Sequence, residues 1–172
     1  MKKLSIFAAI LFAVVLGNNV NAQNTKTNEN TASATIITPI TLDNLSELKF
    51  GKVASMTSAE TTMTMNPTSG EITYSNDQMR IASDDANRAL ASYKVGGLIG
   101  QSFSIAIPTS AVELNGPNSK IMTVTDFTIN KPLAGNVLVE DFTFNVGGTL
   151  NVGAGQEAGF YSGEFDVTVT YE

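Results

Sequence analysis

Two pairs of adjacent carboxylates, Asp84-Asp85 and Glu140-Asp141, are the groups of this sequence best suited to acid–base chemistry. A glycosidase needs two carboxyl groups about 5–10 Å apart across a cleft, whereas consecutive residues of a strand face opposite ways. The chain contains neither Cys nor His, so thiol catalysis, thiolate or imidazole metal sites and the commonest general base are all missing. We therefore predict that the protein is not an enzyme, with no catalytic residue and no cofactor.

Oxygen-bearing side chains also collect in SNDQMRIASDDAN, residues 75–87. Carboxylate and amide oxygens of this kind are what a hard cation such as calcium prefers. The spacing lacks the Asp-x-Asp-x-Asp-Gly run of an EF-hand loop, so a solvated acidic loop is the default interpretation. Calcium binding stays an open alternative, and we assign no residue as a metal ligand.

A third candidate for chemistry is the glycine-rich segment GAGQEAG, residues 153–159. A phosphate-binding glycine loop leads from a strand into a helix, whose free N–H groups face the anion. Here the glycine spacing is one residue longer than the dinucleotide fingerprint, and the segment that follows, EFDVTVTYE, alternates as a strand does. We therefore predict a tight corner in which the glycines take positive φ angles, and a bulge or sharp bend at Gly147-Gly148.

The elements that must position all these groups are strands, because the dominant hydrophobic period is two. Apolar and polar residues alternate at residues 32–36, 61–65, 91–95, 103–107, 142–146 and 165–171. Turn-forming NPTSG, residues 66–70, separates two runs and predicts a hairpin. Only residues 83–90 look helical, with Ser83 as a cap. About nine or ten short strands predict an antiparallel sandwich or a small barrel.

The N-terminus is predicted to be a signal peptide of residues 1–22. Lys2 and Lys3 precede an apolar stretch at residues 4–17, and small Val20 and Ala22 precede the expected cleavage point. Residues 23–31 are polar and predict a flexible leader, and residues 32–172 predict a single domain. The protein is therefore expected to be exported to the periplasm, the cell surface or the medium, without membrane insertion after the signal is removed.

Charge narrows the range of partners. The formal net charge is −6 and becomes −8 once Lys2 and Lys3 are removed with the signal. A surface this acidic repels phosphate backbones. We therefore expect no nucleic-acid partner.

A family resemblance extends over most of the sequence. The pattern F-x-VGGTL-x-VGAGQ-x-AG-x-YSG-x-F-x-VTV-x-Y, residues 144–171, resembles the C-terminal signature of the bacterial family called domain of unknown function 4402. Weaker pieces agree at residues 32–42, 48–53, 62–70 and 103–110. The resemblance implies a secreted, all-β, antiparallel immunoglobulin-like β-sandwich, related in style to fimbrial subunits. It implies no activity and no catalytic residue.

The last strand also resembles the C-terminal motif of chaperone–usher pilin subunits, in which an added strand gains backbone hydrogen bonds while alternate side chains fill pockets. The residues that match as strand-pairing candidates are Gly159, Phe165, Val167, Val169 and Tyr171. Residues 31–42 are a candidate donated strand, although Pro39 would interrupt its pairing. The open alternative is a self-sufficient sandwich in which both runs are ordinary strands.

From these patterns we predict a non-enzymatic, exported structural or cell-surface protein, of a pilin-like or adhesion and matrix kind, that uses β-strand complementation. Its expected partners are other copies of itself or other subunits of a surface structure. The alternative function is a small extracellular binding module for a carbohydrate or a calcium-bridged ligand.

Overall fold

A computed structural model describes residues 26–172 of the chain, so the predicted signal peptide, residues 1–22, lies outside the described residues. The chain divides into two units at the bond between Thr35 and Ile36. In the first unit, residues 26–35 are exposed and form neither strand nor helix. The strand expected from the alternation at residues 32–36 is therefore absent.

The second unit contains ten strands, and every strand pair in it is antiparallel. They are β1 Thr41–Ser46, β2 Thr61–Met65, β3 Ile72–Tyr74, β4 Ala91–Gly96, β5 Ser102–Ala106, β6 Val112–Asn115, β7 Ile121–Ile129, β8 Asn136–Val137, β9 Thr143–Val152 and β10 Thr168–Tyr171. Strands β1, β2, β3, β4, β6, β7 and β9 form a larger sheet, and β10, β5 and β8 form a smaller one. The prediction of an all-β antiparallel sandwich with about nine or ten strands is confirmed.

Strand β9 organises the larger sheet, because it pairs with β7 along one edge and with β4 and then β2 along the other. Gly147 and Gly148 lie where β9 passes from β4 to β2. A Cβ at Gly147 would overlap the carbonyl of Met65, so the close approach of two backbones requires glycine there. The bulge predicted at these glycines is found in the ladder opposite them: the register of β7 and β9 shifts across Gly148, and the extra residue lies on β7, between Thr125 and Thr128.

The core fills the space between the two sheets with side chains from alternate strand positions. Met63, Phe103, Phe144 and Val146 are fully buried, as the period of two requires. The ring of Phe103 meets that of Phe142 edge-on, with centroids 4.9 Å apart. Burial of these large side chains is the main stabilising contribution of the sandwich.

The hairpin predicted at NPTSG joins β2 to β3. The Oδ1 atom of Asn66 accepts hydrogen bonds from the backbone N–H groups of Thr68 at 2.8 Å and Ser69 at 3.1 Å. Gly70 completes the turn with a φ of 69°. The side chain of Asn66 thus replaces backbone partners within the turn.

The helix predicted at residues 83–90 is a short 3-10 helix over Ala82–Asn87. Ser83 lies inside it and is not the cap. Ile81 occupies the cap position and makes no side-chain capping bond. The predicted cap was wrong because the helix is capped two residues earlier than the position of Ser83 indicates.

Candidate functional site

The smaller sheet is the incomplete part of the sandwich. Strand β10 pairs with β5 from Thr168, opposite Ala106, to Tyr171, opposite Phe103. Within residues 26–172 no strand pairs with the other edge of β10. Two of the predicted strand-pairing residues, Val169 and Tyr171, therefore lie in a strand that has one partner and one open edge.

The residues just before β10 continue its alternation without its hydrogen bonds. Phe165 and Val167 are half-buried, whereas Glu164 and Asp166, which alternate with them, are exposed. No backbone–backbone hydrogen bond joins residues 164–167 to another described residue. If the β10–β5 register continued, Asp166 would face Pro108, which has no N–H to donate.

Backbone pairing is found again further from the C-terminus, at Ser162. The amide of Asn115 donates to the carbonyl of Ser162 at 2.8 Å, and the amide of Ser162 donates to the carbonyl of Asn115 at 3.1 Å. The unpaired run at residues 164–167 is therefore a gap of strand-like chain between two paired segments. We call residues 160–167 the acceptor edge.

Residues 160–166 of the acceptor edge form one wall of an open cleft of about 1820 Å³. The opposite wall is residues 47–55, and the floor includes Val124, Leu150 and Val152 from the core. Sites for small molecules usually enclose about 300–1,000 Å³. The cleft therefore exceeds the usual size of a small-molecule site and has an apolar floor.

Aromatic rings lie along the acceptor edge in two environments. Phe165 packs on Phe127 with ring centroids 5.0 Å apart and so joins the core from the open side. Phe160, which also lines the cleft, is 84% exposed. The exposed ring of Phe160 therefore gives this side of the cleft an apolar surface in contact with water.

Gly159, another of the predicted pairing residues, lies in the corner before the acceptor edge. A Cβ there would come within 2.6 Å of the Cγ of Pro117, and a Cβ at Gly163 would overlap the carbonyl of Glu113. Among the glycines of residues 153–163, only Gly155 has a positive φ, of 61°. The predicted positive φ angles are therefore found at Gly155 alone, and Gly159 and Gly163 serve close packing against other segments.

The hydroxyl of Tyr171 ties the end of β10 to two other segments. It accepts the backbone N–H of Leu98 at 2.7 Å and donates to the carbonyl of Thr38 at 3.0 Å. Gly97 makes room for it, since a Cβ at that position would overlap the hydroxyl. The penultimate tyrosine thus joins the C-terminal strand to the chain that leads into β1.

The acidic residues 84 and 85 brace the wall opposite the acceptor edge. The carboxylate of Asp84 accepts the backbone N–H of Lys52 and, at 2.6 Å, the side-chain amide of Asn87. These hydrogen bonds, the one from Lys52 first, hold the pKa of Asp84 below its ordinary value. The carboxylate is therefore a structural acceptor that fixes the position of residue 52.

Arg88 links Asp85 to the same wall. Its guanidinium pairs with the carboxylate of Asp85 and donates to the carbonyls of Phe50 at 3.0 Å and Lys52 at 2.9 Å. Over residues 26–172 no group of three or more acidic side chains is arranged to hold a metal ion. Four amide or carboxylate side chains of segment 75–87 thus make hydrogen bonds or ion pairs within the protein: Asn76, Asp84, Asp85 and Asn87.

Sequence reasoning missed the wall at residues 47–55 and the exposed ring of Phe160. Both belong to irregular segments, where the period of two gives no information. The available signal for Phe160 was its place beside the glycine-rich corner. A large aromatic ring in such an irregular segment has no regular sheet face to cover it.

The fold and its cleft define an all-β sandwich whose smaller sheet has an open edge above an apolar floor. Residues 40–171 match the model of the family described as Domain of unknown function (DUF4402), and the chain belongs to that family. The resemblance seen in the sequence is thereby confirmed. No curated protein and no solved structure matches the chain. Among residues 26–172, no helix has the length and apolar character to cross a membrane.

Proposed function

We propose that the protein is an exported, non-enzymatic structural subunit that assembles outside the cytoplasm by accepting a β-strand from a partner subunit in its cleft. The observation that carries this proposal is the acceptor edge. Residues 164–167 alternate as a strand and have no backbone partner among the described residues, and residues 164–166 line an open cleft. Other copies of the chain, or other subunits of a surface structure, supply the strand.

The chemistry of the cleft suits a polypeptide strand. An unpaired strand edge offers a row of N–H and C=O groups that a second chain can pair with, and alternate side chains of the added strand fill apolar pockets below. Val124, Leu150 and Val152 line the floor but are almost fully buried in the single copy, so the apolar surface open to an added strand is that of Phe160 and the half-buried Phe165. A strand bound there would hydrogen-bond the acceptor edge and cover these two rings at the same time.

Amide hydrogen exchange tests the proposal on protein recovered from the cells that export it. The same chain, unfolded and refolded at low concentration, supplies the monomeric reference. We expect alternate amides among residues 164–167, those that face the added strand, to exchange slowly in the recovered assemblies and quickly in the refolded monomer. The amides of β10 that pair with β5 serve as the control, because they are protected in both samples.

The proposal is wrong if the recovered protein is monomeric at every concentration and residues 164–167 exchange as fast in it as in the refolded chain. Size-exclusion chromatography with light scattering gives the molecular mass of both samples. Slow exchange at residues 164–167 in a monomer would also overturn it, since the edge would then be covered without a partner.

A further inference from the structure

We infer that the strand bound in the cleft is residues 32–40 of a second copy of this same chain. The inference rests on the proposed function and names its partner. We call residues 32–40 the donor segment. The assembly it produces is head-to-tail, with the donor segment of one copy on the acceptor edge of the next.

The donor segment has the composition of a strand but no sheet. All of its residues but Ile40 are exposed, and none forms a strand. Ala32, Ala34 and Ile36 alternate with Ser and Thr, and no charged residue occurs from Asn30 to Leu42. An uncharged, alternating segment of this kind gains both hydrogen bonds and apolar burial when it joins a sheet edge.

The two most exposed large apolar side chains recorded over residues 26–172 lie one on each of these surfaces. Ile36 of the donor segment is 97% exposed, and Phe160 of the acceptor edge is 84% exposed. A soluble chain keeps such side chains in water only at a free-energy cost. Docking of one copy on the next would bury both in a single step.

The donor segment is long enough to cover the acceptor edge. At about 3.3 Å per residue, its nine residues extend about 30 Å, so a strand that pairs along the roughly 13 Å of residues 164–167 can also reach Phe160. Strand β1 begins at Thr41, so the donor segment connects directly to its own domain. Pro39 and Thr38, whose carbonyl is held by Tyr171 of the same copy, lie next to that connection, so residues 32–37 remain available to pair.

Charge also favours this occupant. The acceptor side of the cleft carries Glu157, Glu164 and Asp166, and these carboxylates would repel an acidic strand. The donor segment carries no carboxylate. Because the donor and acceptor surfaces differ, one docking event leaves a free donor segment at one end and a free acceptor edge at the other, from which an open chain or a ring can grow.

Cysteine cross-linking tests the inference cleanly because the chain has no native Cys. Full chains carrying Ile36→Cys alone and Phe160→Cys alone are exported, unfolded, refolded together as a mixture and oxidised. We expect a disulfide-linked dimer from the mixture and a ladder of oligomers from the double variant. Ala34→Cys, on the same strand face, detects a register displaced by two residues.

The matched control is Ile37→Cys, whose side chain would point to the opposite face of the docked strand. We expect it to cross-link to Phe160→Cys at least about fivefold less than Ile36→Cys or Ala34→Cys, whichever is stronger. All substituted side chains are exposed in the single copy, so each variant should keep the melting temperature of the parent chain. Equal cross-linking at positions 36 and 37, or a double variant that closes only on itself, overturns the inference.

The two proposals fail in different ways. If no cross-link forms although residues 164–167 are protected in protein recovered from the exporting cells, the cleft accepts a strand from a different subunit and this inference alone is wrong. If the cross-link is absent and residues 164–167 are unprotected as well, the proposed function is wrong with it.

Discussion

Replacing Tyr171 by Phe removes one oxygen atom and, with it, two hydrogen bonds that hold the end of β10. The hydroxyl accepts the N–H of Leu98 and donates to the carbonyl of Thr38. Each such bond contributes about 0.5–1.5 kcal/mol net, and water can replace the hydroxyl at this exposed site. We therefore expect Tyr171→Phe to lower the free energy of unfolding by about 1–2 kcal/mol and the melting temperature by roughly 3–8 °C.

A matched control uses a hydroxyl that has no partner. The hydroxyl of Tyr74 is buried and makes no hydrogen bond to any described residue, so Tyr74→Phe removes an unsatisfied polar group. We expect this variant to be as stable as the parent chain or slightly more stable. The comparison separates the loss of hydrogen bonds from the general effect of a Tyr→Phe change.

Guanidinium denaturation of both variants measures the two changes in the free energy of unfolding, and amide exchange follows Leu98 directly. The N–H of Leu98 should exchange faster in Tyr171→Phe and at the parent rate in Tyr74→Phe. The reasoning is refuted if Tyr171→Phe costs no more stability than Tyr74→Phe, or if it leaves the exchange of Leu98 unchanged.

Three further changes test the walls of the cleft and the core. Gly163→Ala should lower the free energy of unfolding by about 1–3 kcal/mol, since its Cβ would overlap a backbone carbonyl of β6. The control is Gly153→Ala, whose Cβ meets only a flexible side chain. It should lower the free energy of unfolding clearly less in the same denaturation assay. Asp84→Asn should destabilise the protein at neutral pH. The N–H of Lys52 lowers the folded-state pKa of Asp84 below the unfolded pKa near 3.8. The stability that Asp84 contributes is therefore full above the unfolded pKa and is lost as the pH falls through the folded pKa. Melting curves of the two proteins should converge in acid. Phe103→Ala, at a fully buried ring, should cost about 3–5 kcal/mol, and a loss below 1 kcal/mol on denaturation would show that the core is not packed as described.

The period of two in the sequence was enough to predict the sandwich. Alternation records which face of a strand is buried, so runs such as residues 61–65 and 91–95 indicated strands that the structure contains as β2 and β4. The hairpin at residues 66–70 was equally predictable, because Asn, Pro and Gly have local reasons to form turns.

The same alternation failed at residues 32–36 and 164–167, because it does not identify the chain that supplies the neighbouring strand. Both runs alternate, yet neither has a strand partner among the described residues. The cleft was unpredictable for a related reason: its walls are irregular segments far apart in sequence. The roles of Gly159 and Gly163 were also hidden, since the segments they pack against lie more than 40 residues away.

The pairing of β1 with β4 determines how a single copy would resist a force that pulls on its N-terminal segment. A pull on the chain ahead of Thr41 acts along β1, whose partners run from Gly96 to Ser92 on β4. Force in that direction shears the ladder, so its hydrogen bonds must break together instead of one after another. The hydrogen bond from Tyr171 to Thr38 lies before the ladder on this path. It would therefore break before the β1–β4 ladder does, and its loss alone would leave the sandwich intact.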